Sequence, residues 1–257
     1  MIAALREWMF RVWYWYVNHI DKNSEILFMN FGYSNPDMQV KLNPEDESSR
    51  HSVQLYHLLG SATDLKNRDI AEIGCGRGGG LSYIVRTFSP ATALGVDLDK
   101  HAVKFCKNHY ALKGLSFANG DAQELSFLKD NSFDAVLNLE SSHRYPRMDL
   151  FLKEVVRLLR PGGYFLYTDF RYDWEMPELK QQIEATGMTI IKGVMITDNV
   201  VKALEKDDLN KRILVKRLAP RFLHKVALNF AGAIGSETYN QFLTHKYEYY
   251  HFVLQKK

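Results

Sequence analysis

Asp69-Ile70-Ala71-Glu72-Ile73-Gly74-Cys75-Gly76-Arg77-Gly78-Gly79-Gly80 reads as a buried strand, a glycine-rich turn and the start of a helix. About one strand later, Leu94-Gly95-Val96-Asp97-Leu98-Asp99 supplies a second apolar strand that ends in a carboxylate. Glycine lacks a Cβ and tolerates positive φ, so Gly74, Gly76 and Gly78 let the backbone come close to a ligand. An acid at the tip of the next strand accepts both hydroxyls of a ribose. The two features together select a nucleoside cofactor, with Asp97 as the ribose ligand.

Outward from this stretch, strands are expected over 69–73, 91–96, 115–118, 133–137, 164–168 and 189–197. Helices are expected over 79–88, 100–110, 149–159 and 178–185. Such alternation implies a parallel sheet with helices on both faces. Residues 1–64 read as a helical lid, with a loop at Asn30-Phe31-Gly32-Tyr33-Ser34-Asn35-Pro36 and a helix over 48–60 stopped by Gly60. Residues 198–239 read as a helical cap insertion broken at Ala219-Pro220, before a last strand over 244–254. The fold class expected is α/β and Rossmann-like: a seven-stranded, mostly parallel sheet with an N-terminal lid, the cofactor-binding domain occupying 65–257.

Composition narrows the function. The chain of 257 residues is long enough for one well-buried α/β domain. A net charge of +3 is too small to argue for nucleic acid. Cys75 and Cys106 provide neither a disulfide framework nor a metal spacing, which fits a reducing, cytoplasmic setting without a metal. The stretch 1–20 carries Trp8, Trp13, Tyr14, Trp15 and Tyr16, but Arg6, Glu7 and Arg11 interrupt it. It is too short to span a bilayer and reads as an amphipathic helix, either packed on the domain or resting on a membrane. The basic run 211–225 reads as the solvated face of a cap helix, with a peripheral membrane contact as the alternative. Oligomeric state is left open, a homo-oligomer included.

The glycine string departs from the Gly-x-Gly-x-x-Gly of dinucleotide folds. Glu72 precedes it, and a carboxylate there repels phosphates but suits an ammonium or sulfonium. Glu72-x-Gly74-x-Gly76-x-Gly78 resembles motif I of the class I S-adenosylmethionine (SAM) methyltransferases. The resemblance continues through Asn119-Gly120-Asp121-Ala122, Ser132–Glu140 and Leu158-Leu159-Arg160-Pro161-Gly162-Gly163-Tyr164-Phe165. It implies SAM as cofactor and S-adenosylhomocysteine as product. By the same resemblance, Glu72 binds the amino group or orients the loop, while Cys75 contributes backbone and packing. Leu98 covers the adenine, Asp121 and Ala122 hold its edge, and Asn138 lies near the sulfonium. The loop Asn30-Phe31-Gly32-Tyr33 is similar to the Asn-x-Gly-Tyr loop of small-molecule and lipid methyltransferases, which would turn Tyr33 toward the donor methyl.

Methyl transfer to an alcohol benefits from a base. Glu140-Ser141-Ser142-His143 follows strand four, and Thr168-Asp169 ends strand five, at the edge where such sheets place ligands. These segments resemble natural-product O-methyltransferases with a histidine and an aspartate at those points. His143 is then the base and Asp169 its partner or a second base, with Glu140 a competing candidate. The chain further resembles the methyltransferases of phthiotriolone and phenolphthiotriolone dimycocerosates, through Ile26-Leu27-Phe28-Met29-Asn30, Cys75–Gly80, Leu137–His143 and Leu159–Phe165. The expectation is O-methylation of a hydrophobic, lipid- or polyketide-like acceptor. C- or N-methylation and a non-catalytic SAM-binding protein are the rivals.

Overall fold

The computed structural model describes residues 24–257; the helix expected over 1–20 lies outside them. Among these residues the first regular elements are a 3-10 turn at Pro44–Ser49 and helix α1, Arg50–Gly60. Strand β1 (Asp69–Ile73), helix α2 (Gly79–Phe88), β2 (Thr92–Asp97), α3 (Lys100–His109) and β3 (Leu115–Asn119) follow. Next come β4 (Phe133–Leu139), α4 (Met148–Leu158), β5 (Leu159–Tyr172), α5 (Met176–Ala185) and β6 (Thr189–Met195). Helices α6 (Thr197–Leu218), α7 (His224–Phe230) and α8 (Glu237–Leu243) precede β7 (Tyr247–Gln255).

The seven strands form one sheet in the order β3-β2-β1-β4-β5-β7-β6. All neighbours from β3 through β5 are parallel, whereas β7 runs antiparallel to both β5 and β6. Strand order reverses between β1 and β4, so a crevice opens at their carboxyl ends. Alternate residues of the central strands feed two cores. Ile70 and Leu166 face one with Val53, Leu59, Leu81 and Ile84; Ala71 and Phe165 face the other with Phe151, Val155 and Ile183. This period of two follows from the pleat.

One close approach positions the site. A Cβ at Gly80 would fall inside the Tyr56 ring, so glycine lets α1 lie hard against the start of α2. Tyr56 thereby reaches across to β1, where its hydroxyl donates to Glu72 Oε1 at 2.8 Å.

Some boundaries differ from expectation. Residues 24–43 contain no regular helix or strand. Strand β5 opens at Leu159, because Leu159 pairs with Phe133 before the chain turns at Gly162. Thr197 belongs to α6, its Oγ1 accepting from Tyr249 N, so β6 ends at Met195. The helices after β6 run to Leu243, and β7 starts only after a turn in which His245 takes φ 54°.

Candidate active site

The glycine loop is moored to the neighbouring strand. Gly74 N and Cys75 N donate to Val96 O at 2.7 and 3.1 Å, and Gly76 N donates to Asp97 Oδ2 at 2.7 Å. Asp97 Oδ1 accepts from Asp99 N at 2.9 Å. A carboxylate has about four acceptor positions, so each oxygen keeps one for a ligand hydroxyl. Burial raises the Asp97 carboxyl, and the Asp99 and Gly76 N–H groups pull it back. Beside it, Leu98 is 67% exposed, an apolar side chain open at the rim. Asp121 is also exposed, with Oδ1 held by Gln123, and Ala122 is buried next to it.

Two fully buried oxygens in this crevice lack a hydrogen-bond partner, Glu72 Oε2 and Asn138 Oδ1. Asn138 Nδ2 donates to Ile73 O at 2.7 Å, and a carbonyl can only accept, so the amide oxygen must be the free end. Burial pushes the Glu72 carboxyl up to about 8. Two acceptors left unsatisfied in an enclosed place suit a cationic ligand that donates. The positive φ of Gly74 (79°), Gly76 (52°) and Gly78 (74°) keeps the loop open beneath them. Burial also holds the Cys75 thiol well above its ordinary range, which removes it as a nucleophile.

Gly74→Ala is expected to destabilise the protein by roughly 1–3 kcal/mol, since alanine pays for positive φ and its Cβ collides with the Ser141 hydroxyl. Thermal melting with and without S-adenosylhomocysteine reads both the strain and the lost site.

The second group of residues stands at the ends of β4 and β5. Glu140 turns the chain with φ 45°, and its Oε1 accepts from Phe31 N at 2.8 Å and Tyr249 OH at 2.7 Å. Burial pushes Glu140 up to about 8. His143 Nδ1 lies 2.8 Å from Asp169 Oδ1, and His143 N donates to Asp169 Oδ2 at 2.9 Å. Asp169 also accepts from Ser142 Oγ at 2.8 Å and Phe170 N at 2.8 Å, and pairs with Arg171 at 3.3 Å. Burial alone would raise Asp169; the His143 and Arg171 charges and these hydrogen bonds overcome it and hold it well below the carboxylate range. An ionised Asp169 fixes the proton on His143 Nδ1 and leaves the Nε2 lone pair outward, where Arg144 Nε donates at 3.2 Å. Burial lowers the His143 pKa, against the raising effect of the Asp169 charge.

His143 and Glu140 open onto a cavity of about 900 Å³, a volume at the upper end for small-molecule sites. Met29, Phe31, Phe170 and Lys211 line it as well. Residues 24–31 lie between this cavity and the glycine loop: a Cβ at Gly79 would meet Leu27 O at 2.5 Å, and one at Gly76 would meet Met29 Cε at 3.0 Å.

His143, Asp169 and Glu140 are thus brought together, while Glu72, Asp97 and Asn138 gather at the glycine loop. Tyr33 is buried in the core and accepts from Asn35 Nδ2 at 3.4 Å, while Phe31 lines the cavity. His109 also lines the cavity. Tyr249, Arg171 and Lys211 escaped sequence reading. Arg171 shares a face of β5 with Asp169 at spacing two, a usable signal; Tyr249 reaches Glu140 only through the β5–β7 pairing. No group of His, Cys, Asp and Glu among the described residues is arranged to hold a metal ion.

The methyltransferase domain family matches residues 71–167. A fatty-acid O-methyltransferase of Mycolicibacterium smegmatis is 44% identical over 211 residues, covering 82% of this chain and 77% of the relative. A phthiotriol/phenolphthiotriol dimycocerosates methyltransferase of Mycobacterium tuberculosis is 40% identical over 231 residues, 88% of this chain and 85% of its own. This chain belongs to the class I SAM-dependent methyltransferases. The geranyl diphosphate C-methyltransferase from Streptomyces coelicolor A3(2), solved with Mg2+, geranyl diphosphate and S-adenosyl-L-homocysteine, shares the fold. It aligns with a TM-score of 0.66 at 14% identity over 94% of this methyltransferase and 98% of that chain.

Proposed function

We propose that this methyltransferase moves the methyl group of SAM to a hydroxyl of a hydrophobic, lipid- or polyketide-like acceptor held in the 900 Å³ cavity. The observation that carries the reading is the His143–Asp169 pair, its carboxylate fully buried and its imidazole opening onto that cavity. SAM, when bound, supplies a methyl on a positively charged sulfur. Asp97 accepts the ribose hydroxyls, Leu98, Asp121 and Ala122 flank the adenine, and the orphaned oxygens of Glu72 and Asn138 face the cationic methionine end. Transfer is an in-line displacement, so the protein chiefly aligns the acceptor and excludes water. Asp169 holds the tautomer, and His143 Nε2 takes the hydroxyl proton once Arg144 gives way. The names of the two mycobacterial relatives support a lipid acceptor. Residues 24–31 serve as a lid over the site and α6 to α8 as its cap. Phe222, 81% exposed on the cap beside Arg221 and Lys225, supports peripheral contact with an anionic bilayer.

His143→Ala is expected to lower kcat by about 10²–10⁴-fold with S-adenosylhomocysteine affinity unchanged. The wild-type rate should fall on the acid side as His143 protonates, with that limb below the ordinary imidazole value of about 6.5. A radiolabelled-methyl assay on lipid extracts measures both. Full turnover in His143→Ala would move the assignment to an N- or C-nucleophile that needs no base.

A further inference from the structure

Lys211 is the outlier of the cavity. It lies on α6 in a run whose neighbours Arg212, Lys216 and Arg217 are exposed, yet its Nζ is enclosed and has no hydrogen-bond partner among the described residues. Its side chain lines the cavity. Three acids lie near it, none within hydrogen-bond reach of Nζ, and each already holds another partner. Asp207 Oδ1 lies 2.7 Å from His51 Nδ1 of α1. Asp208 accepts from Arg212 Nε at 2.7 Å and Ile234 N at 2.8 Å. Glu140 Oε1 is taken by Phe31 N and Tyr249 OH.

An ammonium withdrawn from water without a partner is costly, and a lysine so placed is kept for a ligand or neutralised. Burial lowers Lys211 to about 8, with Asp207, Glu140 and Asp208 opposing the shift, so the group is still largely charged at neutral pH. A hydroxyl or an alkyl chain would leave that charge unpaired. A carboxylate would pair it.

We propose that Lys211 is the anchor for a carboxylate carried by the acceptor, so that the cavity selects long-chain acids over the matching alcohols and esters. This inference rests on the reading of the cavity as the acceptor site. It makes Lys211 a specificity residue; the groups that move the proton remain those at the ends of β4 and β5.

The test is displacement of a cavity-bound fluorescent probe by palmitate, hexadecanol and methyl palmitate, on the full chain with S-adenosylhomocysteine present. Wild type should bind palmitate about 30-fold or more tighter than either neutral lipid, the size expected for an enclosed charge pair. Lys211→Gln should erase that preference while retaining hexadecanol affinity, which also reports that the variant is folded; Lys211→Arg should restore much of it. Equal affinity of wild type for the three lipids, or an undiminished preference in Lys211→Gln, would overturn the inference. Methyl transfer to lipid alcohols in the same preparation separates that outcome from failure of the functional reading, under which no lipid would be methylated.

Discussion

Asp169→Asn is expected to remove most turnover and several kcal/mol of stability together. The wild-type carboxylate meets only donors: Ser142 Oγ, His143 N, His143 Nδ1, Phe170 N and Arg171. An amide turns one oxygen into an NH2 that faces donors, and it removes the carboxylate paired with the largely enclosed Arg171 guanidinium. Breaking a buried ion pair in this way costs about 3–5 kcal/mol. For a domain of this size that corresponds to a melting point lower by about 6–20 °C. Turnover should fall by about 10³-fold or more, as when other buried Asp–His pairs lose the carboxylate that holds the tautomer. Residual activity is measured below the new melting point. Its acid limb should move further down, because the Asp169 charge that raises the His143 pKa has gone. Unchanged melting and unchanged kcat would show that Asp169 neither carries Arg171 nor orients His143.

The next largest effect concerns Asp97. Asp97→Ala takes away the acceptors for two ribose hydroxyls, each a hydrogen bond to a charged group worth about 1.5–3 kcal/mol. S-adenosylhomocysteine affinity should weaken by about 10²–10⁴-fold in titration calorimetry. The same change releases Gly76 N from its 2.7 Å bond, loosening the loop where the ligand is needed. Asp97→Asn should be milder, since its amide oxygen still accepts. Undiminished affinity in Asp97→Ala would place the nucleoside elsewhere.

Most of the parallel half of the sheet was legible in the sequence because its signals are local. Ile70, Ala71, Ile73 and Val96 lie in short, mainly apolar runs, and the glycines after Ile73 mark where backbone must take positive φ. The candidate residues at strand ends followed from the same logic, since carboxyl ends of parallel strands converge. What escaped depends on contacts distant in sequence. Tyr249 is 109 residues from Glu140, and only the antiparallel insertion of β7 beside β5 brings them to 2.7 Å. Lys211 sits in a basic, amphipathic run that reads as a solvated face; nothing local distinguishes it from Lys216, because its burial comes from the cavity beneath the helix. Around Tyr33 there is no regular element, so periodicity offers no guide to which side chain points inward.

The placement of β6 and β7 as paired neighbours at one border of the sheet has an evolutionary corollary. The polypeptide leaves the scaffold for α6 and rejoins it on the adjoining strand, so the intervening helices form one continuous excursion, seated on the core through Val200, Leu204 and Phe242. Lineages can therefore trade this excursion for another and acquire new clientele while the donor-binding half stays untouched.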